Sequence, residues 1–189
     1  MNITKVSIGN WFEHIQTYLQ HKEEHLCYSV QEQTEVTYGS QNDCDLEYCE
    51  EHNIPAYNLR GQAGCIVHPQ GNIGIGFVYS VQKYKVFALA YIFLPKLRDY
   101  LISKGLNATI DHNDLLVDGY KVGSVDEYQY DVPNAWCYGI MQISINQDIE
   151  VIEHACKKPM VKIPKALSEY GITTEEIKNW LLETVNKLQ

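Results

Sequence analysis

Apolar positions along the chain recur with two different periods, and the changes of period mark the elements. Over residues 11–26, Trp11, Ile15, Tyr18, Leu19 and Leu26 follow close to helical spacing, which predicts an amphipathic first helix. Residues 27–38 alternate instead. Tyr28, Val30, Val36 and Tyr38 give that stretch the β-branched and aromatic mix of a strand, and Gly39 ends it. A short helix is predicted over 43–52, opened by Asn42 or Asp43 as its cap. Short strands follow at 54–59, 64–67 and 73–81, with Gly71, Gly74 and Gly76 allowing close backbone approach. Residues 83–104 read as a long helix, apolar on one side, with Gly105 past its end and Pro95 either kinking it or starting a second helix. Strands are then predicted at 109–110, 115–117, 120–129 and 136–145, with Asp118-Gly119 as a tight hairpin signal. A helix over 147–157 and a last one over 175–188 close the chain. In the last, Thr173 or Thr174 is the cap, and Ile177, Leu181, Val185 and Leu188 share a face. Strands and helices mix without regular alternation, so the expected fold class is α+β around a mixed sheet.

Composition narrows this picture. The chain has 189 residues, 45% of them apolar, with no internal repeat or Pro/Ser-rich linker, so a single domain over 1–189 is expected. With 24 acidic against 15 basic side chains the net charge is -9, and no local basic cluster offers a groove for a phosphate backbone. Nucleic acid is therefore not an expected partner. The longest apolar stretch, 86–97, is interrupted by Tyr91, Pro95 and Lys96 and falls short of the ~20 residues of a spanning helix. No secretory pattern opens the chain, so no membrane association and a cytoplasmic location are expected. The six cysteines, Cys27, Cys44, Cys49, Cys65, Cys137 and Cys156, are scattered and form no CxxC pair. They read as reduced thiols. Only Cys44 and Cys49 lie close, with four residues between them and no matching second pair, so no metal site is expected.

Three segments hold candidate chemistry. In the first, Arg60 and Gly61 precede a small-residue turn through Gly64, a short strand with Cys65, then His68, Gly71 and Asn72. Small residues let backbone amides approach a phosphate or carboxylate, although turns between strands use the same residues. In the second, Asn113 and Asp114 precede a strand, the Asp118-Gly119 turn and Lys121 on the returning strand. An ammonium there either faces solvent, blunting a sheet edge, or stabilises charge developing on a phosphoryl or acyl oxygen in a partly dry cleft. The third, residues 135–145, is a core strand with Gly139 leading toward a helix.

Taken in order, these segments resemble the catalytic domain of the biotin/lipoate protein ligase family, which includes lipoate-protein ligases, lipoyl(octanoyl)transferases and biotin-protein ligases. Arg60, Gly64, His68, Gly71 and Asn72 follow the layout of that family's glycine-rich segment. Asn113-Asp114 to Gly119-Tyr120-Lys121-Val122 is similar to its Asn-Asp and lysine segment, and 138–142 with Asp148-Ile149 stand where its His-Gly-Thr strand and Asp-Leu helix start occur. Glu32, Val36, Tyr38 and Gly39 resemble the octanoyltransferase branch. The chain departs at Gln62-Ala63, where glycines occur in the family, at Arg60, which stands alone, and at Tyr138, where the family has histidine.

The resemblance implies a class II ligase-like domain: a mixed, mainly antiparallel sheet flanked by helices, without the C-terminal accessory domain, which could be a separate subunit. It implies that ATP and magnesium activate lipoate or octanoate as acyl-AMP, and that the acyl group passes to a lysine of a lipoyl-type carrier domain. Lys121 would contact the acyl carbonyl and phosphate, Arg60 and the Gly61–Gly64 backbone the phosphate or carboxylate, and Asn113 and Asp114 the nucleotide or its magnesium. His68 reads as a partner that fixes a loop. Cys156 lies where the transferase branch has its acyl nucleophile, and the adjacent Lys157 and Lys158 are charges that favour a thiolate. An ATP-independent cysteine transferase is thus one alternative, and a non-catalytic member binding a small acyl ligand or a protein is another. Lys157, Lys158, Lys162 and Lys165 are the clustered cations available to dock an acidic carrier.

Overall fold

The computed structural model describes residues 3–59, 62, 64–84, 87–131, 136–158 and 162–188. In chain order these form β1 (Ile3–Lys5), α1 (Trp11–His21), β2 (His25–Val30), β3 (Glu35–Tyr38), α2 (Leu46–Glu51), β4 (Ala56–Asn58), β5 (Cys65–His68) and β6 (Ile73–Ser80). There follow α3 (Leu94–Ser103), β7 (Ala108–Asp111), β8 (Asp114–Val117), β9 (Tyr120–Asp131), β10 (Trp136–Ile143), α4 (Ile149–Ala155) and α5 (Thr174–Asn186). A seven-stranded sheet runs β1-β2-β6-β10-β9-β8-β7, and a three-stranded sheet runs β4-β3-β5. Among the strands of the described residues, β1–β2 and β3–β4 pair in parallel and the other pairs are antiparallel, so the fold is α+β and mainly antiparallel.

The boundaries that differ from expectation have local causes. Helix α1 stops at His21, because Lys22 takes a left-handed conformation and closes the last turn; Leu26 then lies on β2, fully buried in the large-sheet core. The stretch 27–38 is two strands in two sheets, since β2 pairs with β6 while β3 pairs with β4 and β5. The long helix expected over 83–104 begins late. The Tyr79 hydroxyl accepts from the amides of Phe87 and Ala88 at 3.1 and 3.2 Å, a π-helical turn spans Leu89–Phe93, and α3 starts at Leu94. Pro95 sits in the first turn of α3, directly after the π-helical turn. Asp118 and Gly119 both have positive φ, 52° and 84°, as the two-residue hairpin requires. Thr173 and Glu176 form a reciprocal capping box at the start of α5.

Alternation along β6 sends its side chains to two environments. Ile73, Ile75, Phe77 and Tyr79 join Leu94, Leu97 and Leu101 of α3 and Ile177, Leu181 and Val185 of α5 in the main core. Val78 faces the other way, toward Ile15 and Leu19 of α1 and Tyr138 of β10. The small sheet carries its own core of Val36, Cys44, Cys49, Val151 and Ala155, shared with α2 and α4. Among the described residues no helix is long and apolar enough to cross a membrane.

Candidate functional site

A cavity of about 610 Å³ separates the small sheet from β9 and β10 of the large one. On one wall stand Asp114, Lys121, Ser124, Asp126 and Gln142, and on the other Asp43, Gly64, Cys65, His68 and Cys156. The large-sheet wall depends on an irregularity in β9. Leu115 opposes Gly123 but Leu116 opposes Lys121, so Val122 is an extra residue without a partner across the ladder. Without it, strict alternation would send Lys121 and Ser124 to opposite faces. The bulge puts Val122 and Val125 in the core and lets Lys121, Ser124 and Asp126 all line the cavity. Residues 163–165 brace the bulged strand: the Lys121 amide donates to the Ile163 carbonyl at 3.0 Å, and the Lys165 amide donates to the Lys121 carbonyl at 2.9 Å.

Asp114 is the centre of a charge cluster. Its Oδ1 is 2.8 Å from Lys121 Nζ, its Oδ2 is 2.7 Å from Lys162 Nζ, and Lys162 also reaches Asp111 Oδ2 at 2.7 Å. Burial alone would raise the Asp114 pKa, but hydrogen bonds from Lys121 and Lys162 outweigh it and hold the carboxyl below its ordinary range. Asp126, deeper in the cavity, is pushed up by burial, only partly offset by the charge of Lys121. Asn113 sits at the rim, where its carbonyl accepts from the Val125 amide at 2.9 Å. Asp126 is not among the candidates named from the sequence, although Ser124 and Asp126, polar at alternate positions beside Val122 and Val125 and on the strand that carries Lys121, are a readable signal.

The opposite wall is fixed by neutral contacts. His68, almost fully buried, has its Nε2 2.7 Å from Thr37 Oγ1, and Gln142 across the cavity also bonds the ring. Burial lowers its pKa to about 4, so the imidazole is neutral and acts as a strut between the sheets. Gln62, standing where the family has glycine, donates from Nε2 to the Thr37 carbonyl at 2.9 Å. Gly39 makes this possible, because a Cβ there would overlap the Gln62 carbonyl. Gly64, with φ of 80°, continues the turn into the cavity wall. Asn72 lines the cavity too, but its Oδ1 is engaged by the amides of Ile145 and Asn146 at 2.8 and 2.7 Å, so it holds the β10 exit in place. Gly71 is not among the lining residues; its turn packs against Asn146 and Thr174. Arg60 and Gly61 lie outside the described residues.

Cys156, at the end of α4, is half-buried and its pKa is lowered. The cause is a hydrogen bond from the Cys65 thiol, which outweighs burial, and not the neighbouring lysines expected from the sequence. Lys158 is instead paired with Asp43 at 2.6 Å. The expected basic docking patch is likewise largely neutralised: Lys162 is held by Asp111 and Asp114, and Lys165 lies over the rings of Tyr120 and Tyr170 and 3.9 Å from Glu169.

The fold recurs in solved structures. A bi-partite lipoate protein ligase from Thermoplasma acidophilum, described with its E2 lipoyl domain, superposes with a TM-score of 0.76 at 13% identity, covering 98% of this chain and 82% of that one. The chain has the lipoate/biotin protein ligase catalytic fold. Lipoate-protein ligase A bound with ATP superposes on the same fold with a TM-score of 0.74 at 12% identity, over 99% of this chain and 83% of that one. A biotin protein ligase from Aquifex aeolicus, a point mutant in complex with biotin, gives 0.57 at 11% identity, over 99% of this chain and 69% of that one. No family model and no curated protein matches the sequence. At these identities the lipoate/biotin ligase likeness is one of fold.

Proposed function

We propose that this protein is a lipoate-class acyl ligase: it activates lipoate or octanoate with ATP and magnesium as acyl-AMP and passes the acyl group to a lysine of a lipoyl-type carrier domain. The observation that supports this most directly is Lys121, held on the cavity wall by Asp114 with Lys162 beside it, within the fold of ligases that act on this kind of acid. The Asp114 carboxylate orients the Lys121 ammonium toward the cavity. An incoming carboxylate or α-phosphate can then compete for that ammonium, which is best placed to act where charge builds on the phosphorus and carbonyl oxygens. Magnesium brought in with nucleotide phosphates needs only one or two protein carboxylates, and Asp114 and Asp126 are two that stand on the same wall as Lys121. Acyl-AMP held between the two walls would be shielded from the water that cleaves a mixed anhydride. The bi-partite neighbour makes a separate accessory chain a reasonable partner for this one as well.

The test is transfer by the purified chain, with ATP, magnesium and lipoate or octanoate, to a lipoyl-type carrier domain, read as a mass gain on the carrier. The gain is expected with the native chain and lost in Lys121→Ala. Ligand binding without transfer from any donor would leave a non-catalytic acyl-binding protein.

A second reading has an observation of its own. Cys156 lines the same cavity as Lys121 and is the cysteine whose thiolate is favoured. A transferase using it would take the acyl group from an acyl carrier, form a thioester without ATP, and lose that thioester in Cys156→Ser.

A further inference from the structure

Four of the six cysteines, far apart in sequence, meet on the small-sheet side of the cavity. Cys156 is clamped in an extended conformation opposite Cys44, with the Asp45 amide donating to the Ala155 carbonyl at 2.8 Å and the Lys157 amide donating to the Asp43 carbonyl at 3.0 Å. Cys65, the first residue of β5, interlocks with it. Cys65 Sγ is 3.6 Å from the Ala155 carbonyl oxygen, Cys156 Sγ is 3.5 Å from the Cys65 carbonyl oxygen, and the two thiols hydrogen-bond each other. Behind this pair the Cys44 thiol bonds to both Cys65 and Cys49. Among the described residues no group of three or more His, Cys, Asp or Glu side chains is arranged to hold a metal ion, so the thiols form a chain and not a cage.

The members of the chain are not equivalent. Cys44 and Cys49 are buried and out of reach of a solute, whereas Cys65 and Cys156 both line the cavity. Hydrogen bonding to Cys156, with burial, pushes the Cys65 thiol up, and the same bond favours the Cys156 thiolate. Burial pushes Cys27 and Cys49 up to about 12. A nucleophilic thiol that a small molecule can reach, with a protonated second thiol in contact on another segment, is the arrangement that thiol–disulfide exchange requires.

We propose that Cys156 and Cys65 are a thiol–disulfide exchange site for a small disulfide entering the cavity. The Cys156 thiolate attacks one sulfur of the disulfide, forming a mixed disulfide and expelling the other sulfur as a thiolate. That thiolate takes up the proton Cys65 releases. The Cys65 sulfur then attacks Cys156 Sγ and expels the second sulfur, which is protonated from solvent to replace the proton first lost by Cys156. The disulfide is reduced to two thiols, and the protein is oxidised to a Cys65–Cys156 disulfide. The crosslink ties β5 to the end of α4 and removes the cavity's nucleophile. The chemistry needs neither ATP nor a carrier domain and so stands apart from the acyl-transfer reading. The same chemistry could come from an open disulfide such as oxidised glutathione, or from the cyclic disulfide of a lipoate-type chain.

The test uses the full chain, reduced, desalted and incubated at neutral pH with oxidised glutathione or with lipoic acid, then quenched with acid and alkylated. The expected product has lost the mass of two hydrogens, and a peptide map joins Cys65 to Cys156. Faster oxidation by lipoic acid than by glutathione assigns the cyclic disulfide; the reverse assigns the open one. Cys65→Ser should stop at a mixed disulfide on Cys156, and Cys156→Ser should react about tenfold more slowly or less. Native protein that keeps six free thiols under both oxidants overturns the proposal. So does a crosslink joining another pair, or stoichiometric zinc that shields the four thiols from alkylation. Each of these is read on the native chain and does not depend on a variant folding.

Discussion

On the large-sheet wall of the cavity Lys121 is held by charge, 2.8 Å from Asp114, whereas on the small-sheet wall Cys156 is held by its backbone, extended opposite Cys44 and bonded on both sides. The two devices respond differently to a ligand. An ion pair can be opened by an incoming anion, because the anion replaces the carboxylate as the partner of the ammonium. A backbone clamp keeps its geometry whatever the charge on the sulfur. The first suits a group that must transfer its contact to substrate, and the second suits a group that must be attacked or must attack without moving.

Replacing Lys121 with Ala tests the contrast most severely. Acyl transfer should fall by about 100- to 1000-fold, the cost of removing one donor to developing negative charge. If transfer survives and Cys156→Ser abolishes it, the active wall is the thiol wall. Acid is expected to have the next largest effect. His68 and His25 are both lowered to about 4, chiefly by burial and for His25 also by the charge of His14, while the unfolded chain takes up protons near the ordinary 6.5. Their contribution is therefore fully present above about pH 6.5 and is lost as the pH falls toward 4, by up to about 3 kcal/mol for His68. The lowered Asp114 gives stability in the same direction, but it is lost only at the more acidic pH where carboxylates protonate. Urea melts should thus show stability falling between pH 7 and 4, ahead of the loss that Asp114 contributes at more acidic pH. His68→Asn should flatten part of the slope, leaving the share of His25; a native slope of zero over that range refutes the neutral strut.

Asp114→Asn should cost less, about 1–2 kcal/mol in a denaturant melt at pH 7, since both lysines of the pair are partly solvated, and the loss should shrink in high salt. The smallest effect is expected for Cys49→Ala at the buried end of the thiol chain. It should lower stability by about 1 kcal/mol through lost packing and leave the alkylation rate of Cys156 unchanged. A changed rate would mean that the whole chain of thiols, and not the Cys65–Cys156 contact, sets its reactivity.

Much of the frame was legible because its causes are local. The cap at Thr173, the hairpin at Asp118-Gly119 and the face formed by Ile177, Leu181 and Val185 need only neighbouring residues and their periods. Asn113, Asp114 and Lys121 were readable as a group because one hairpin presents them together. The end of α1 at Lys22 and the split of 27–38 into two sheets were not, since Leu26 fits a helix face and a strand equally until a partner strand is known. Gln62, a departure by sequence, proves to be a staple to Thr37 only once the loop folds over Gly39.

The sequence by itself determined an α+β chain with a lysine hairpin and a glycine-bearing turn, because periodicity, capping and turn chemistry act over a few residues. Tertiary structure alone decided that Lys121 faces the cavity, since an unpaired Val122 becomes visible only when β8 and β9 are set in register. It alone decided that His68 is neutral, because the burial that lowers its pKa comes from elements packed around it and its partners Thr37 and Gln142 lie on other strands. It also brought Cys44, Cys49, Cys65 and Cys156 together. Six thiols scattered along a chain carry no period, and only the packing of α2 and α4 against β3 and β5 makes four of them neighbours.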